Sequence, residues 1–460
     1  MLEDDQLQAA GIDKRDRKGS AWRLLATALV AADLVMLILN QSVLNYRFGL
    51  NEISAARLDL NLLLGLSFLY FAIPQAAGGR ADKESEVAAS DHVATSPPGD
   101  KTLLWLIAAY ALVLLTVTTF TSSSGDLLMN IKHTLLAILP IFAFGYVCPR
   151  IMRRDNYVAI FLILLAIFSA HTLLTIWLCL TNTHSFLGRD ITCLVGRAQY
   201  IFGQRGQLVT GLTWNPNTLA ASLLMLPAIA VETEALVSAE WLKKLVRAAR
   251  FLTASHTILT LSRGAILSLV VSFGVWGMLD KMRSRFIRAV CKLGLLAGAG
   301  FAVWQCLAWR GDKSSYERME VLQDSLTKIA CHPWGMGLPP VGSEQLPHNL
   351  ILGTTIYFGP IATVFLGLIL GWLLYGAIRG RRVGGGEQRR GPASNRMKSA
   401  RKVLLVTLMA MVGVHGSVEY CIGHPTLFAN SLFWLLVGYV VCGRDEEENQ
   451  PDKHRGGEGG

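Results

Sequence analysis

Residues 156–180 read NYVAIFLILLAIFSAHTLLTIWLCL, a run without Lys, Arg, Asp or Glu. It exceeds the ~20 apolar residues that a helix needs to cross the hydrocarbon core of a bilayer. Its apolar residues are continuous and do not alternate with a two-residue period, which excludes the strand pattern of an outer-membrane barrel. The same texture recurs on both sides of this run. Candidate spans fall near 22–39, 58–77, 102–120, 133–148, 156–180 and 212–231, then near 251–262, 265–279, 289–308, 349–377, 403–416 and 427–442. The expected fold is all-α, a polytopic integral membrane protein with about 12 transmembrane helices.

Composition points the same way. Of 460 residues, 52% are hydrophobic and only 17% charged, against ~25% charged in ordinary globular domains. Mean hydropathy is +0.39. These values exclude a cytosolic enzyme, a disordered chain and a disulfide-stapled secreted domain. A net charge of +10 would suggest nucleic acid in a soluble chain. In a membrane protein it reports basic cytoplasmic loops, so the expected partner is the lipid bilayer and not nucleic acid. The eight cysteines lack the close spacing of a metal or redox motif. Cys193 and Cys331 would share an extracytoplasmic compartment, either paired or as unpaired small apolar side chains. No cleavable signal peptide is expected. Asp4, Asp5, Lys14, Arg15, Arg17 and Lys18 precede an apolar run that lacks a small-residue cleavage site.

Charge sets the expected orientation. With the N-terminus inside, twelve crossings return the C-terminus inside. Thirty-one of the 43 Lys and Arg then face the cytoplasm and eleven the opposite side, with Lys292 inside the ninth span. That bias is the positive-inside signature. The largest contribution comes from 378–402, where nine basic residues flank a Gly-rich stretch and act as a topology anchor. The expected organisation is an N-terminal set of helices over 1–200 with a cytoplasmic polar linker at 78–101. A core follows over 201–425 and includes an outer loop at 309–348. The last helix and a polar cytoplasmic tail occupy 426–460.

Basic residues on the outer face run against the insertion bias, so they carry information. They lie in 181–211 (Arg189, Arg197, Arg205), in 309–348 (Arg310, Lys313, Arg318, Lys328) and at Arg263 alone. In the longer loop, Ser314 and Glu317 fit a capping box. Met319, Leu322, Leu326 and Ile329 follow at helical spacing, and His332–Pro333 with Gly335 ends the helix. The expectation is an amphipathic helix on the membrane surface with Arg318 in its first turn. A helix N-terminus plus an arginine favours an anion, and guanidinium matches phosphate oxygens two at a time. The plainer readings stay beside this one. Arg318 pairs with Glu317, Glu320 or a lipid headgroup; Arg263 snorkels to a headgroup; His348 caps a helix. Asn215–Pro216–Asn217 makes a turn and an N-cap.

The order of these pieces resembles a known family. GLTWNPNTLA (211–220), TLSRGA (260–265), SSYERMEVLQDSLTKIACHPWGMG (314–337), PHN (347–349) and HGSVEY (415–420) are similar to elements of the O-antigen ligase/polymerase superfamily of bacterial envelopes. The likeness covers roughly residues 200–425. His348–Asn349 is followed nine residues later by Gly359, while position 362 is Ala where the family's GxxG element has its second Gly.

The resemblance implies an inner-membrane, GT-C-like glycosyltransferase without a nucleotide sugar. Its donor would be a glycan on undecaprenyl diphosphate. Ligases transfer that glycan to lipid A–core, and polymerases transfer it to another lipid-linked repeat unit. The family's two functional arginines fall on Arg263 and Arg318, and its functional histidine on His348. Those three are the expected catalytic residues. Arg263, Arg318, Asn217, Asn349 and Arg205 are expected to bind substrate. Two arginines stabilise a diphosphate leaving group without a metal, and the outer loops show no clear metal-ligand spacing, so no cofactor is expected. A histidine of pKa near 6.5 accepts the proton of an attacking sugar hydroxyl. Attack opposite the diphosphate inverts the anomeric centre. The rival within the family is a polysaccharide polymerase. The rival of another class is a small-anion transporter, which would need charged or unwound elements at mid-membrane.

Overall fold

The computed structural model describes residues 14–42, 52–78, 100–122, 126–181, 185–186, 189–190, 198–201, 204–207, 216–260, 262–275, 284, 286–287, 313–337, 349–379, 392–416 and 427–442. The expected ninth span, 289–308, lies outside them, as do His348, Cys193, Glu419 and the linker between 79 and 99. Among the described residues the protein is helical apart from two short antiparallel hairpins, Ser185–Phe186 with Arg189–Asp190 and Ala198–Ile201 with Gln204–Gln207.

The first half contains α1 (Lys14–Asn40), α2 (Glu52–Gly78), α3 (Asp100–Thr121) and α4 (Leu127–Phe142). Helix α4 runs through a widened π turn at Ala143–Val147 into the short α5 (Cys148–Ile151), and α6 spans Arg154–Leu180. The second half opens with α7 (Pro216–Leu236) and α8 (Glu240–Leu259). Next come α9 (Arg263–Leu269) with a π turn at Val270–Val275, and α10 (Lys313–Cys331). Last are α11 (Leu350–Arg379), α12 (Pro392–Ala410) with a π turn at Met411–His415, and α13 (Phe428–Cys442).

Among the described residues six helical stretches are long and apolar enough to cross a membrane: 20–40, 101–121, 127–151, 154–178, 217–236 and 350–373. Two shorter apolar helices, 264–274 and 428–440, accompany them. These are membrane-type helices by their surface as well. Phe120 and Leu128 are more than four-fifths exposed, positions that water would penalise and lipid tails favour. The expected separate span at 251–262 takes a different form. It is the end of α8, whose first half carries Lys243, Lys244, Arg247 and Arg250. Arg247 and Arg250 reach back to Glu234 on α7 at 2.7 and 3.4 Å. The short turn at 237–239 folds α8 back along α7.

One apolar core joins both halves of the chain, from Leu34 and Leu37 on α1 to Trp434 and Leu436 on α13. Helix α13 lies on the π turn of α4. A Cβ on Gly438 would stand 2.3 Å from the Phe144 carbonyl oxygen, so only glycine permits that approach. Deep in the bundle, Glu232 of α7 is fully enclosed. It accepts a hydrogen bond from the Tyr439 hydroxyl at 2.6 Å and lies 3.6 Å from Arg401 Nε. Three other helices bring a group to bear on this carboxylate, because the charge of Arg154 on α6 also acts on it.

Candidate functional site

One end of the bundle gathers the chain segments that sequence reasoning singled out. Because α7 and α8 are antiparallel neighbours, the start of α7 at Pro216–Asn217 and the end of α8 share one end. Ser262 follows there with extended backbone (φ −71, ψ 107) and its carbonyl accepts the first helical bond of α9, from Ile266 N–H at 2.9 Å. Arg263 is thus the first residue of α9, which places it at a helix N-terminus. Helix α9 packs against α7 and against the π turn Met411–His415 of α12. Ser268 fixes that contact by donating to Gly264 O at 2.7 Å and approaching Ala410 O at 3.4 Å.

The π turn ends at Gly416, whose carbonyl accepts the Leu350 N–H at 2.7 Å. That bond ties the HGSVEY segment to the residue that follows PHN. His415 is completely buried. Asn349 caps α11: its Oδ1 accepts the N–H groups of Ile351 and Leu352 at 2.9 and 3.0 Å. The first three N–H groups of α11 are therefore satisfied within the protein, two by Asn349 and one by Gly416. The cap that the plainer reading gave to His348 is made by Asn349, whose side-chain carbonyl is committed to it.

The 313–337 segment also enters the structure at α11. This helix is broken at Gly359, with φ 82 and ψ 169, and restarts at Pro360. Proline has no N–H for Ile356 O. Met336 N–H supplies the missing donor at 2.8 Å, and Gly337 N–H donates to Tyr357 O at 2.8 Å. Two glycines make the contact possible. A Cβ on Gly335 (φ 96) would lie 2.7 Å from Gly359 N, and a Cβ on Gly359 would lie 2.8 Å from Trp334 O. The segment HPWGMG is thus keyed into a notch in an apolar helix.

Helix α10 leads into this key. Ser325 is buried, Leu322 and Ile329 are partly so, and Gln323 and Thr327 are exposed; Leu326, expected on the apolar face, is exposed too, because the helix turns Ser325 inward in its place. It ends at Cys331, and Gly335 N–H turns back to His332 O at 3.0 Å. Cys331 is a free, exposed thiol, and Cys193 lies outside the described residues. Glu320 is exposed. Arg318 lies in α10, thirteen residues before its end and hence about 20 Å along the helix. Arg205 lies in the second hairpin, paired with Tyr200. The side chains of Arg205, Arg263, Glu317 and Arg318 lie outside the described residues, as does the whole of His348.

Backbone positions 217, 263, 349 and 416 are accordingly brought to one end by packing and by the Leu350–Gly416 bond. Arg205 and Arg318 belong to elements outside that set of contacts. Three features escaped the sequence reading. The Glu232–Tyr439–Arg401 cluster is one. The second is a stacked pair of imidazoles, His171 and His256, with centroids 5.3 Å apart and Thr172 Oγ1 3.0 Å from His256 Nδ1. The third is a carboxyl pair between α1 and α2. Each joins residues from different helices, and hydropathy windows carry no such pairing; the sequence itself shows only that Asp33 is a charge within the apolar run 22–39.

No family model matches the chain, and no curated protein matches it.

Proposed function

We propose that the chain transfers a glycan from undecaprenyl diphosphate to lipid A–core, or to a similar acceptor, at the periplasmic face of the bacterial inner membrane. In this reading it is a metal-independent, inverting glycosyltransferase of the O-antigen ligase type. It crosses the membrane about 12 times, with both termini cytoplasmic and the 309–348 loop periplasmic. Arg263 and Arg318 grip the diphosphate through paired N–H···O contacts and stabilise the charge that develops as it leaves. His348 takes the proton of the acceptor hydroxyl.

The observation that supports this most is the Leu350–Gly416 hydrogen bond. It holds the segment after His348 against the turn after His415, on the same end as the Arg263 helix start. A lipid-linked donor needs its cations at headgroup level, and that end is where an outward-facing site would stand. Deleting the gene and separating the lipopolysaccharide on a gel tests the proposal. Loss of a ligase leaves bare core while lipid-linked polymer accumulates. Core bearing a single repeat unit would identify a polymerase instead.

Transport of a small anion is the second reading, favoured by the break at Gly359 inside an apolar helix. Discontinuous helices of that kind form binding sites in transporters. An unchanged glycan profile in the deletion strain, with altered anion uptake, would select it.

A further inference from the structure

Asp33 on α1 and Asp59 on α2 are 0% and 1% exposed, and α1 and α2 pack along one another. Their carboxyl groups are within hydrogen-bonding reach of each other. Seven residues separate Asp33 from Asn40 at the end of α1, about 10 Å of helix, so the pair lies within the apolar layer. Among the described residues no donor reaches either oxygen of Asp33, or Oδ1 of Asp59.

The surrounding titratable groups are otherwise engaged or merely adjacent. On α2 itself, Arg57 is exposed. The Cys148 thiol of α5 lies beside Asp33, and Arg150 of the same helix donates to Tyr146 O. The Tyr146 hydroxyl faces Tyr70. Helix α4 contributes Lys132 and His133, which are only partly buried. Tyr439 of α13 donates to Glu232, and the charge of Arg154 on α6 acts on the same carboxylate. Tyr157 of α6 packs on the Tyr439 ring, and His171 on His256.

Two carboxylates cannot both remain ionised side by side in a low-dielectric interior without donors. A single proton resolves the conflict. It removes one charge and turns an acceptor into the O–H donor that the other carboxylate lacks, as in carboxyl dyads that share a proton. We propose that Asp33 and Asp59 form a proton-binding site, with one proton held between their oxygens and clasping α1 to α2. A proton enters from water at low pH and returns to water as pH rises, leaving two buried negative charges that push the helices apart. The site is independent of the transfer chemistry proposed above.

The test uses the full-length protein in detergent micelles. Unfolding is measured between about pH 5 and 9 for the wild type, Asp33→Asn and Asp59→Asn. The folded state holds a proton that the unfolded state has released, so stability falls as pH rises. The wild-type folded-to-unfolded ratio should decline by up to about tenfold per pH unit, the limit for one linked proton. Both variants should lose that slope, because an Asn N–H replaces the shared proton. Infrared spectra of the wild type should contain a protonated-carboxyl band that moves in D2O, and the double variant should lack it. This band stands as a measurement even where a variant fails to fold. The proposal is overturned by an absent band in the wild type, by an unchanged pH slope in both single variants, or by stability that follows sodium concentration in place of pH.

Discussion

The Tyr439 hydroxyl donates to Oε1 of Glu232 at 2.6 Å, and that carboxylate has no exposed surface. Arg401 lies 3.6 Å from the same oxygen, with its guanidinium 5.9 Å from the centre of the Tyr439 ring. The arrangement joins α7, α12 and α13 through one buried charge. Removing a single partner from a buried pair strands the other. Arg401→Met should therefore destabilise the protein by about 3–5 kcal/mol, and Tyr439→Phe by about 1.5–3 kcal/mol. Glu232→Gln added to Arg401→Met should recover most of the loss. Thermal unfolding of the three variants in detergent checks this, and no recovery in the double variant would count against a charge pair.

The notch at Gly359 gives a second prediction. Alanine at 359 or 335 must adopt positive φ and push into backbone atoms 2.7–2.8 Å away, at a cost of about 1–3 kcal/mol for the strained backbone alone. Alanine at Gly367 or Gly371 of the same helix meets nothing within 4 Å and should be neutral or slightly stabilising. Equal losses at all four positions would mean that α11 is sensitive to any added methyl group.

Orientation is testable without any assay of function. Reporter fusions after residues 205 and 330 should read periplasmic and one after residue 390 cytoplasmic, from the bias of thirty-one basic residues to eleven. A cytoplasmic signal at 330 would invert the topology and remove the proposed site with it.

For the arginines, Arg263→Ala and Arg318→Ala should each abolish most glycan transfer at near-normal protein levels. Lysine should rescue poorly, since it lacks the planar fork that matches phosphate oxygens. Donor binding by the purified variants should weaken in parallel. Full activity in Arg318→Ala would exclude that residue from the site, a sharp outcome for a residue well up α10 from the notch.

His348→Ala should lower transfer by about 10²–10⁴-fold while leaving lipid-linked donor binding intact. Rates across pH 5–9 with donor and acceptor supplied distinguish this from a capping role, for which alanine costs about 1 kcal/mol of stability and little turnover. Retention of more than about a tenth of the rate would end the general-base role, and Glu317, Glu320 and Glu419 would be tested next.

Much of the helical layout was legible because long apolar runs carry their own signal. The run 156–180 became Arg154–Leu180, and 349–377 became Leu350–Arg379. The break at Gly359–Pro360 was written in the sequence as a Gly-Pro step. Its partner, HPWGMG, lies more than twenty residues upstream, so the pairing could not be read. The stretch 251–262 read as a span because a hydropathy window saw only the apolar half of α8. At the candidate site, Asn349 as a cap and Arg263 at a helix start follow from local chemistry. The meeting of Leu350 with Gly416 depends on tertiary packing that spacing does not encode. Asp59 drew no notice because it stands two residues from Arg57 near the start of a helix, where a charge ordinarily faces water.

The interlock between Gly335 and Gly359 also bears on biosynthesis. HPWGMG leaves the ribosome before Ile356 and Tyr357 do, so the key is made before its lock. When α11 enters the bilayer, the carbonyls of these two residues have no donor until the key seats. The newly inserted helix therefore carries a polar flaw that one docking event erases. A chain that misses that event presents the flaw to the membrane proteases that clear misassembled proteins.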